Sequence, residues 1–417
     1  MTLPIQRPDR KNPVTATRQS NLPPTERGRV ALGMTAGAAR GVFELQVCTD
    51  CGCVQYPPRE ACGQCLSVDL KWQAQNGAGN LLSSTTLHHS NDLYFRDRLP
   101  WRLGLVQLDA GPTVMTHLHG EVGQAPMRVQ VGARLDRAGQ AVLITYPEQG
   151  GTHMADDKIL REMTSDPKYR KALVTDGKTA LGQAIVKALI LAGADTVWVG
   201  QSEPWKQADG LLEIASMPQV FLVPLDLTDG RSVTELAGEI GGKVDMVINN
   251  AEMHRNHGIA GRRGTDSAKA EMEINYFGLL RLAQAFGPAL AARAADGTTH
   301  ATAWVNLLSI YALNNFPAHG TFSASKAAAY SLAQCLRAEM QPSGIRVINV
   351  FPGPIDDEWN QQIAPPKLSP ESLAAAIIKA LRDGVEDVYP GDIAQEWLQR
   401  WRDNPKALER EISKNGA

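Results

Sequence analysis

KALVTDGKTALGQAIVKALILAGADTVWVG, residues 171–200, decides the fold of the larger part of this 417-residue chain. A short apolar run enters a polar turn holding Gly177, an amphipathic stretch at helical spacing follows, and a second apolar run ends at Gly200. That is strand, turn, helix, strand. The runs VFLVPLDL (220–227), DMVINNA (245–251), WVNLLS (304–309) and RVINVFPG (346–353) repeat the pattern of buried strands between helices. Such alternation predicts a doubly wound, Rossmann-type parallel α/β sheet over about residues 169–417.

Inside this region lies NLLSIYALNNFPAHGTFSASK, residues 306–326. Ser309, then Phe322 thirteen residues on, then Lys326 four further, is the spacing of a hydroxyl–phenol–ammonium catalytic group whose phenol is missing. With Tyr at 322, the ammonium would lower the phenol from its usual pKa of about 10 and make it a proton donor. Phe has no proton to give.

With these motifs in this order, the segment resembles the short-chain dehydrogenase/reductase family over nearly its whole length. The resemblance implies that Asp226 is the acid beside the adenine, that Asn250 belongs to the motif ending a central strand, and that Asn275 is the helix Asn supporting a proton relay. It further implies Ser309 as the carbonyl-polarising hydroxyl, Lys326 as the ribose-binding ammonium, and Pro352-Gly353 as the loop beside the nicotinamide. The glycine-rich phosphate turn falls on Thr175 to Gly182, but Asp176 and Ala180 stand where the family has glycines. Glu252 replaces the Gly after Asn249-Asn250-Ala251, and Asp357 replaces a Thr after Pro352-Gly353. Three carboxylates are therefore expected around the seat of a dianionic ligand. At ~6 Å and an effective dielectric of about 20, each like-charge pair costs on the order of 2–3 kcal/mol, which disfavours NAD(P). Gln201 ends the second strand with neither an acid nor an Arg to select the ribose, so the type of any coenzyme is undetermined. Tyr311, His319 and Tyr330 are the substitute proton donors nearby in sequence, with Tyr330 too far along the helix.

Composition sets the outer limits. Apolar residues are 43% and charged residues 21%, with 42 basic against 44 acidic side chains. A near-neutral chain carries no nucleic-acid footprint, and no apolar run approaches the ~20 residues that cross a bilayer. Residues 1–28 are polar and Pro-rich, read as a disordered arm without an export signal, and the expected setting is cytoplasmic.

Five of the six cysteines fall between 48 and 65. Cys48-x-x-Cys51 and Cys62-x-x-Cys65, ten residues apart, place four thiolates for one tetrahedral Zn²⁺, with Gly52 and Gly63 easing the knuckle turns. Four thiolates close the coordination sphere, so the metal is expected to be structural. Cys53 reads as a bystander. Five short apolar runs follow (80–88, 102–109, 113–119, 129–136, 141–146), broken by Gly and Pro, and predict a small barrel. LGLVQLDAGPTVMTHLHG (103–120) and VQVGARLD (129–136), behind a zinc ribbon, resemble the DUF35 family of zinc-ribbon OB-fold proteins. That resemblance implies a non-catalytic partner of a thiolase-like or aldolase enzyme acting on acyl-CoA. His117 and His119 read as two solvated strand histidines. The domain is placed at 29–150, followed by a linker at 151–168 that leaves the relative placement of the two halves open.

Two functional readings remain. One is an auxiliary, non-catalytic subunit whose pseudo-dehydrogenase domain pairs with itself or with an active paralogue through two long helices, about 267–293 and 323–342. The other is an NAD(P)-dependent oxidoreductase on a CoA-linked hydroxy or keto substrate. Trp359, Trp397 and Trp401 give the tail more apolar bulk than a lone surface helix needs.

Overall fold

The computed structural model describes residues 21–149, 153–206, 208–255, 258–260, 263–295, 300–361 and 363–415. Most of the expected N-terminal arm lies outside these residues. A short helix, α1 (Leu32–Ala39), precedes a three-stranded ribbon with order β2 (Val54–Gln55), β1 (Glu44–Cys48), β3 (Leu70–Ala74). The first knuckle turns at Gly52 with φ 71°, whereas the second turns at Leu66, φ 63°, rather than at Gly63.

The barrel is closed in the order β4 (Ala78–Leu87), β5 (Trp101–Leu108), β6 (Thr113–Leu118), β8 (Ala141–Pro147), β7 (Met127–Leu135), with α2 (Leu93–Arg96) between β4 and β5. Alternate residues of β7 (Val129, Val131, Ala133, Leu135) point inward and meet Leu81, Val106, Val114 and Leu143. That alternation is the period-2 signal of a half-buried strand.

The second domain has a seven-stranded sheet, all parallel, in the order β11 (Val220–Pro224), β10 (Thr196–Gln201), β9 (Lys171–Val174), β12 (Met246–Asn249), β13 (Ala303–Leu307), β14 (Arg346–Val350), β15 (Asp387–Val388). Every residue of β12 and β13 is buried, because helices cover both faces. In chain order these are α3 (Ala180–Leu191), α4 (Leu211–Ala215), α5 (Gly230–Ile240), α6 (Asp266–Met272), α7 (Leu279–Arg293), α8 (Gly320–Met340), α9 (Pro370–Asp383), α10 (Asp392–Asp403) and α11 (Pro405–Asn415). Helix α5 shows why they pack: Val233, Leu236 and Ile240 form a single buried stripe, and Asp229 caps its N-terminus by accepting the Arg231 N–H. The strand order reverses between β9 and β12, the switch point at whose carboxyl ends a ligand crevice forms. Among the described residues no helix is long and apolar enough to cross a membrane.

The segment after the barrel is not a free tether. Thr164, Ser165 and Asp166 are buried; Arg346 donates to Ser165 Oγ at 2.7 Å, and Arg382 pairs with Asp166 at 3.2 Å. From the barrel side, Arg137 donates to the carbonyl of Ala294 (2.8 Å), just past α7, and to that of Ser343 (3.4 Å), beyond α8. Arg346 returns a bond to Leu135 O at 2.8 Å. The two halves are thus docked through guanidinium–carbonyl contacts. The acceptors are backbone atoms of distant elements, so no local pattern announces them.

Candidate functional site

At the end of β9, Thr175 Oγ1 accepts the backbone N–H groups of Asn250 and Ala251, both at 3.0 Å, and ties β9 to β12. Asn250 completes the tie: its Oδ1 accepts the Asp176 N–H at 3.0 Å and its Nδ2 donates to Asp176 O at 2.7 Å. A Cβ on Gly182 would meet Asp176 O at 2.0 Å. Thr175, Asn250 and Gly182 are therefore required by the turn itself, whether or not a coenzyme binds. Thr179 caps α3 by accepting the Gly182 N–H (3.1 Å), and Asp176 Oδ1 accepts the Lys178 N–H (2.9 Å). Two backbone donors that face an anion at such a helix start are thus bonded to the chain's own side chains. Burial raises the Asp176 carboxyl above its ordinary range; the Lys178 N–H and charge oppose this and the Glu252 charge adds to it.

The centre of the site lies past β12. Lys326, 2% exposed on α8, donates to Leu307 O at 2.9 Å and forms an ion pair with Glu252 Oε2 at 2.8 Å. Phe322 sits one turn earlier on the same helix, its ring 5.5 Å from the ammonium. The His254 ring stacks on it at 3.8 Å between centroids, tilted by 16°. His254 Nε2 and His319 Nδ1 share a hydrogen bond of 2.8 Å. Burial depresses both imidazoles to about 4, against a weaker upward pull of Glu252 on His254. Both are therefore neutral at pH 7, and neutral imidazoles are poor proton donors.

Asn275 lies in a π-helical segment, Glu273–Gly278, that joins α6 to α7. Its Oδ1 accepts the Met253 N–H (2.9 Å), and its Nδ2 donates to Met253 O (2.9 Å) and Ser325 Oγ (2.8 Å). It fixes the loop carrying Glu252 and His254 against α8. Ser309 is 6% exposed and caps the turn at Ile310–Ala312 by accepting the Tyr311 N–H. Pro352 O accepts the Ile310 N–H at 2.9 Å, and Gly353 faces Ile393 and Ala394 of α10 across the space a Cβ would fill at 3.3 Å.

Tyr311, whose N–H is held by Ser309, begins an aromatic stack. Tyr311, Phe316 and His319 lie nearly parallel with centroids 5.3–5.4 Å apart, and Trp397 of α10 closes over Tyr311 at 5.6 Å. Tyr311 and His319, two of the three substitute donors, are thus packing elements, and burial pushes the Tyr311 phenol far above its ordinary value. Tyr330 packs on Phe351, as its place along the helix implies. A cavity of about 730 Å³ opens elsewhere, between α1, α9 and α10, lined by Arg40, Ala376, Tyr389 and Leu398 and touching none of Ser309, Phe322 and Lys326.

The three expected carboxylates, Asp176, Glu252 and Asp357, are each bonded within the chain; Asp176, which the Glu252 charge reaches, accepts the Lys178 N–H. Glu252 is neutralised by Lys326. Asp357 accepts the backbone and side-chain N–H groups of Asn360 at 3.0 and 2.9 Å. Asp226, expected separately as the acid beside the adenine, accepts the Thr228 N–H and hydroxyl at 2.9 and 2.8 Å, closing a local turn. Sequence reasoning missed His254; its only signal is an imidazole two residues past the Glu that replaces a glycine. Trp397 explains part of the tail's apolar bulk, and the side chain of Trp359 lies outside the description.

In the ribbon, Sγ atoms of Cys48, Cys51, Cys62 and Cys65 all lie within 4.8 Å of one another, with Cys48–Cys65 at 3.5 Å and Cys51–Cys62 at 3.6 Å. A tetrahedral Zn–S₄ centre with ~2.3 Å bonds needs sulfurs about 3.8 Å apart, so the residues fit the metal. It would cross-link the two knuckles and leave no open position. Cys53 turns its thiol to Val54 O. The barrel histidines are not solvated: His117 Nδ1 accepts from Trp101 Nε1 at 2.7 Å, and His119 is 1% exposed with Nδ1 accepting the Glu121 N–H.

Family models agree with this anatomy. Residues 35–70 match the ChsH2 rubredoxin-like zinc ribbon domain, 72–140 the ChsH2 C-terminal OB-fold domain, and 170–367 short chain dehydrogenase. An uncharacterized oxidoreductase of Staphylococcus aureus (strain USA300) is 28% identical over 216 residues, 50% of this chain and 90% of that protein. Dehydrogenase/reductase SDR family member 7B of Mus musculus is 32% identical over 205 residues, 47% and 61% of the two chains. A crystal structure of a short chain dehydrogenase from Burkholderia cenocepacia J2315, in complex with NADP, superposes with a TM-score of 0.53 at 34% identity, over 59% of this chain and 98% of that one. A Streptomyces avermitilis short-chain dehydrogenase, TM-score 0.50 at 24% identity, shares the fold. The chain therefore belongs, through its second domain, to the short-chain dehydrogenase family, and carries in front of it a zinc ribbon and OB-fold of the ChsH2 type.

Proposed function

We propose that the chain is an auxiliary subunit of acyl-CoA metabolism whose dehydrogenase-like domain no longer performs hydride transfer. The observation that carries this reading is the Glu252–Lys326 ion pair. The ammonium that would hold the ribose and sharpen a phenol is held instead by a carboxylate at 2.8 Å, beside a ring with no hydroxyl. The internally bonded phosphate turn and the burial of Tyr311 and His319 in an aromatic stack support it. In this reading the ribbon–barrel half meets a thiolase-like or aldolase enzyme in the cytoplasm. The Rossmann half pairs with a second copy or an active relative through the helices α6–α7 and α8. The test is fluorescence titration with NADH and NADPH, together with a search for turnover of CoA-linked hydroxy and keto substrates. No saturation at micromolar coenzyme and no turnover are expected.

One alternative has its own support. Ser309, Lys326 and Asn275 are retained, and a relative 34% identical was crystallised with NADP, which favours an NAD(P)-dependent oxidoreductase on a CoA-linked substrate. Saturable micromolar binding with turnover would establish that reading and end the first.

A further inference from the structure

Strand β4 is ten residues long, but the barrel uses only its first part on one side. It pairs with β7 over Ala78–Leu81 and with β5 from Gly79 through Leu87. Its pairing with β5 shifts register between Leu81 and Ser83, just past the last residue paired with β7. From Leu82 to Leu87 one edge is therefore unpaired among the described residues, and all six residues are exposed. LSSTTL holds no charge and no Pro, the devices that normally blunt an open edge. Beside it the barrel presents Leu105 directly opposite Met115, 44% and 58% exposed, with Leu82 at 54%.

We propose that this edge pairs with the same edge of a second copy of the chain, antiparallel about a two-fold axis, so that two barrels share one sheet. Self-pairing about a two-fold requires a strand to tolerate its own residues. Neighbouring residues point to opposite faces, so the axis must pass where one residue faces itself, never between two. With β7 stopping the open stretch at Leu81, that residue is Ser84 or Thr85. In the first register Ser83 faces Thr85 and Leu82 faces Thr86. In the second, Ser84 faces Thr86 and Ser83 faces Leu87. Both give hydroxyl and apolar pairs with no like charges opposed, and such pairs stabilise antiparallel sheets. The other chain within reach is residues 1–20, since Asn21 Nδ2 donates to Asp97 Oδ2 at 3.2 Å. Pro4, Pro8, Pro13, Arg7, Arg10 and Lys11 suit that segment poorly to an added strand.

The test is the mass of the full-length protein by sedimentation equilibrium, for the wild type, the double variant Ser84→Lys/Thr85→Lys, and the double variant Ser84→Glu/Thr85→Glu. Either register sets the new charges against themselves in each variant. The expected result is a twofold drop in mass for each variant alone, with zinc content and near-ultraviolet spectrum kept. An equimolar mixture, which opposes Lys to Glu, should recover the wild-type mass. Helix-mediated pairing elsewhere would scale all these masses together and leave the twofold step intact. A Lys/Lys variant with the wild-type mass would overturn the proposal. So would a monomeric wild type whose β4 amides resist hydrogen exchange until residues 1–20 are deleted, because the edge would then belong to the chain's own arm.

Discussion

Removing the Glu252 carboxylate should destabilise the Rossmann domain far more than removing its cation partner. In Glu252→Ala the Lys326 ammonium stays 2% exposed and keeps only the Leu307 carbonyl at 2.9 Å. Breaking one side of a buried pair costs about 3–5 kcal/mol. Glu252 is 16% exposed, so water can enter beside it, and the low end, about 3 kcal/mol, is expected. Lys326→Met removes the stranded charge and keeps the bulk, while Glu252 can turn toward solvent; about 1 kcal/mol is expected, in the range of ordinary substitutions. The double variant should lie close to Lys326→Met, so that the cycle gives a coupling of about 3 kcal/mol. Urea unfolding followed by tryptophan fluorescence reads these differences as midpoint shifts at constant slope. A cost under about 1 kcal/mol for Glu252→Ala, or additive single effects, would show that the pair is not the lock inferred here.

Phe322→Tyr alone should give no measurable NAD(P)H-linked turnover, because Lys326 remains paired with Glu252; turnover from that change would refute the functional proposal. Acid should weaken the fold through the histidine pair. His254 and His319 titrate at about 4 in the fold against 6.5 in the unfolded chain, so their depressed values leave stability whole above pH 6.5. It is lost as pH falls from 6.5 toward 4, by up to about 1.4 kcal/mol per pH unit for each ring. His319→Gln should flatten the dependence of the urea midpoint between pH 7 and pH 5. Cys62→Ser should abolish the zinc content measured by plasma emission and unfold the ribbon, since structural zinc supplies folding free energy on the order of 10 kcal/mol. Arg137→Ala strips two carbonyl acceptors at the domain boundary and should cost about 2 kcal/mol, seen as an earlier first transition in calorimetry.

Much of this molecule is legible in its amino-acid sequence. The run 171–200 and its echoes gave the parallel sheet, because strands buried on both faces must be continuously apolar and helices between them must be striped. The two CxxC pairs gave the metal centre, since thiolate spacing in a short knuckle is a local property. The five barrel strands fell within two residues of their observed ends for the same reason. The substitutions at 176, 252 and 322 were equally visible as residues out of place.

Their consequences were not. Sequence suggested three carboxylates repelling a ligand; the fold brings Glu252 against Lys326, seventy-four positions away, and turns repulsion into occupation. His254 stacks on Phe322 and bonds His319 only because Asn275 holds the loop after β12 against α8. The Trp101 bond to His117, the burial of His119, the docked linker and the open edge of β4 likewise depend on where strands begin and stop pairing. Propensity and spacing report what a residue does to its neighbours along the chain. Charge pairing, desolvation and edge exposure depend on neighbours in space, which only the packed structure supplies.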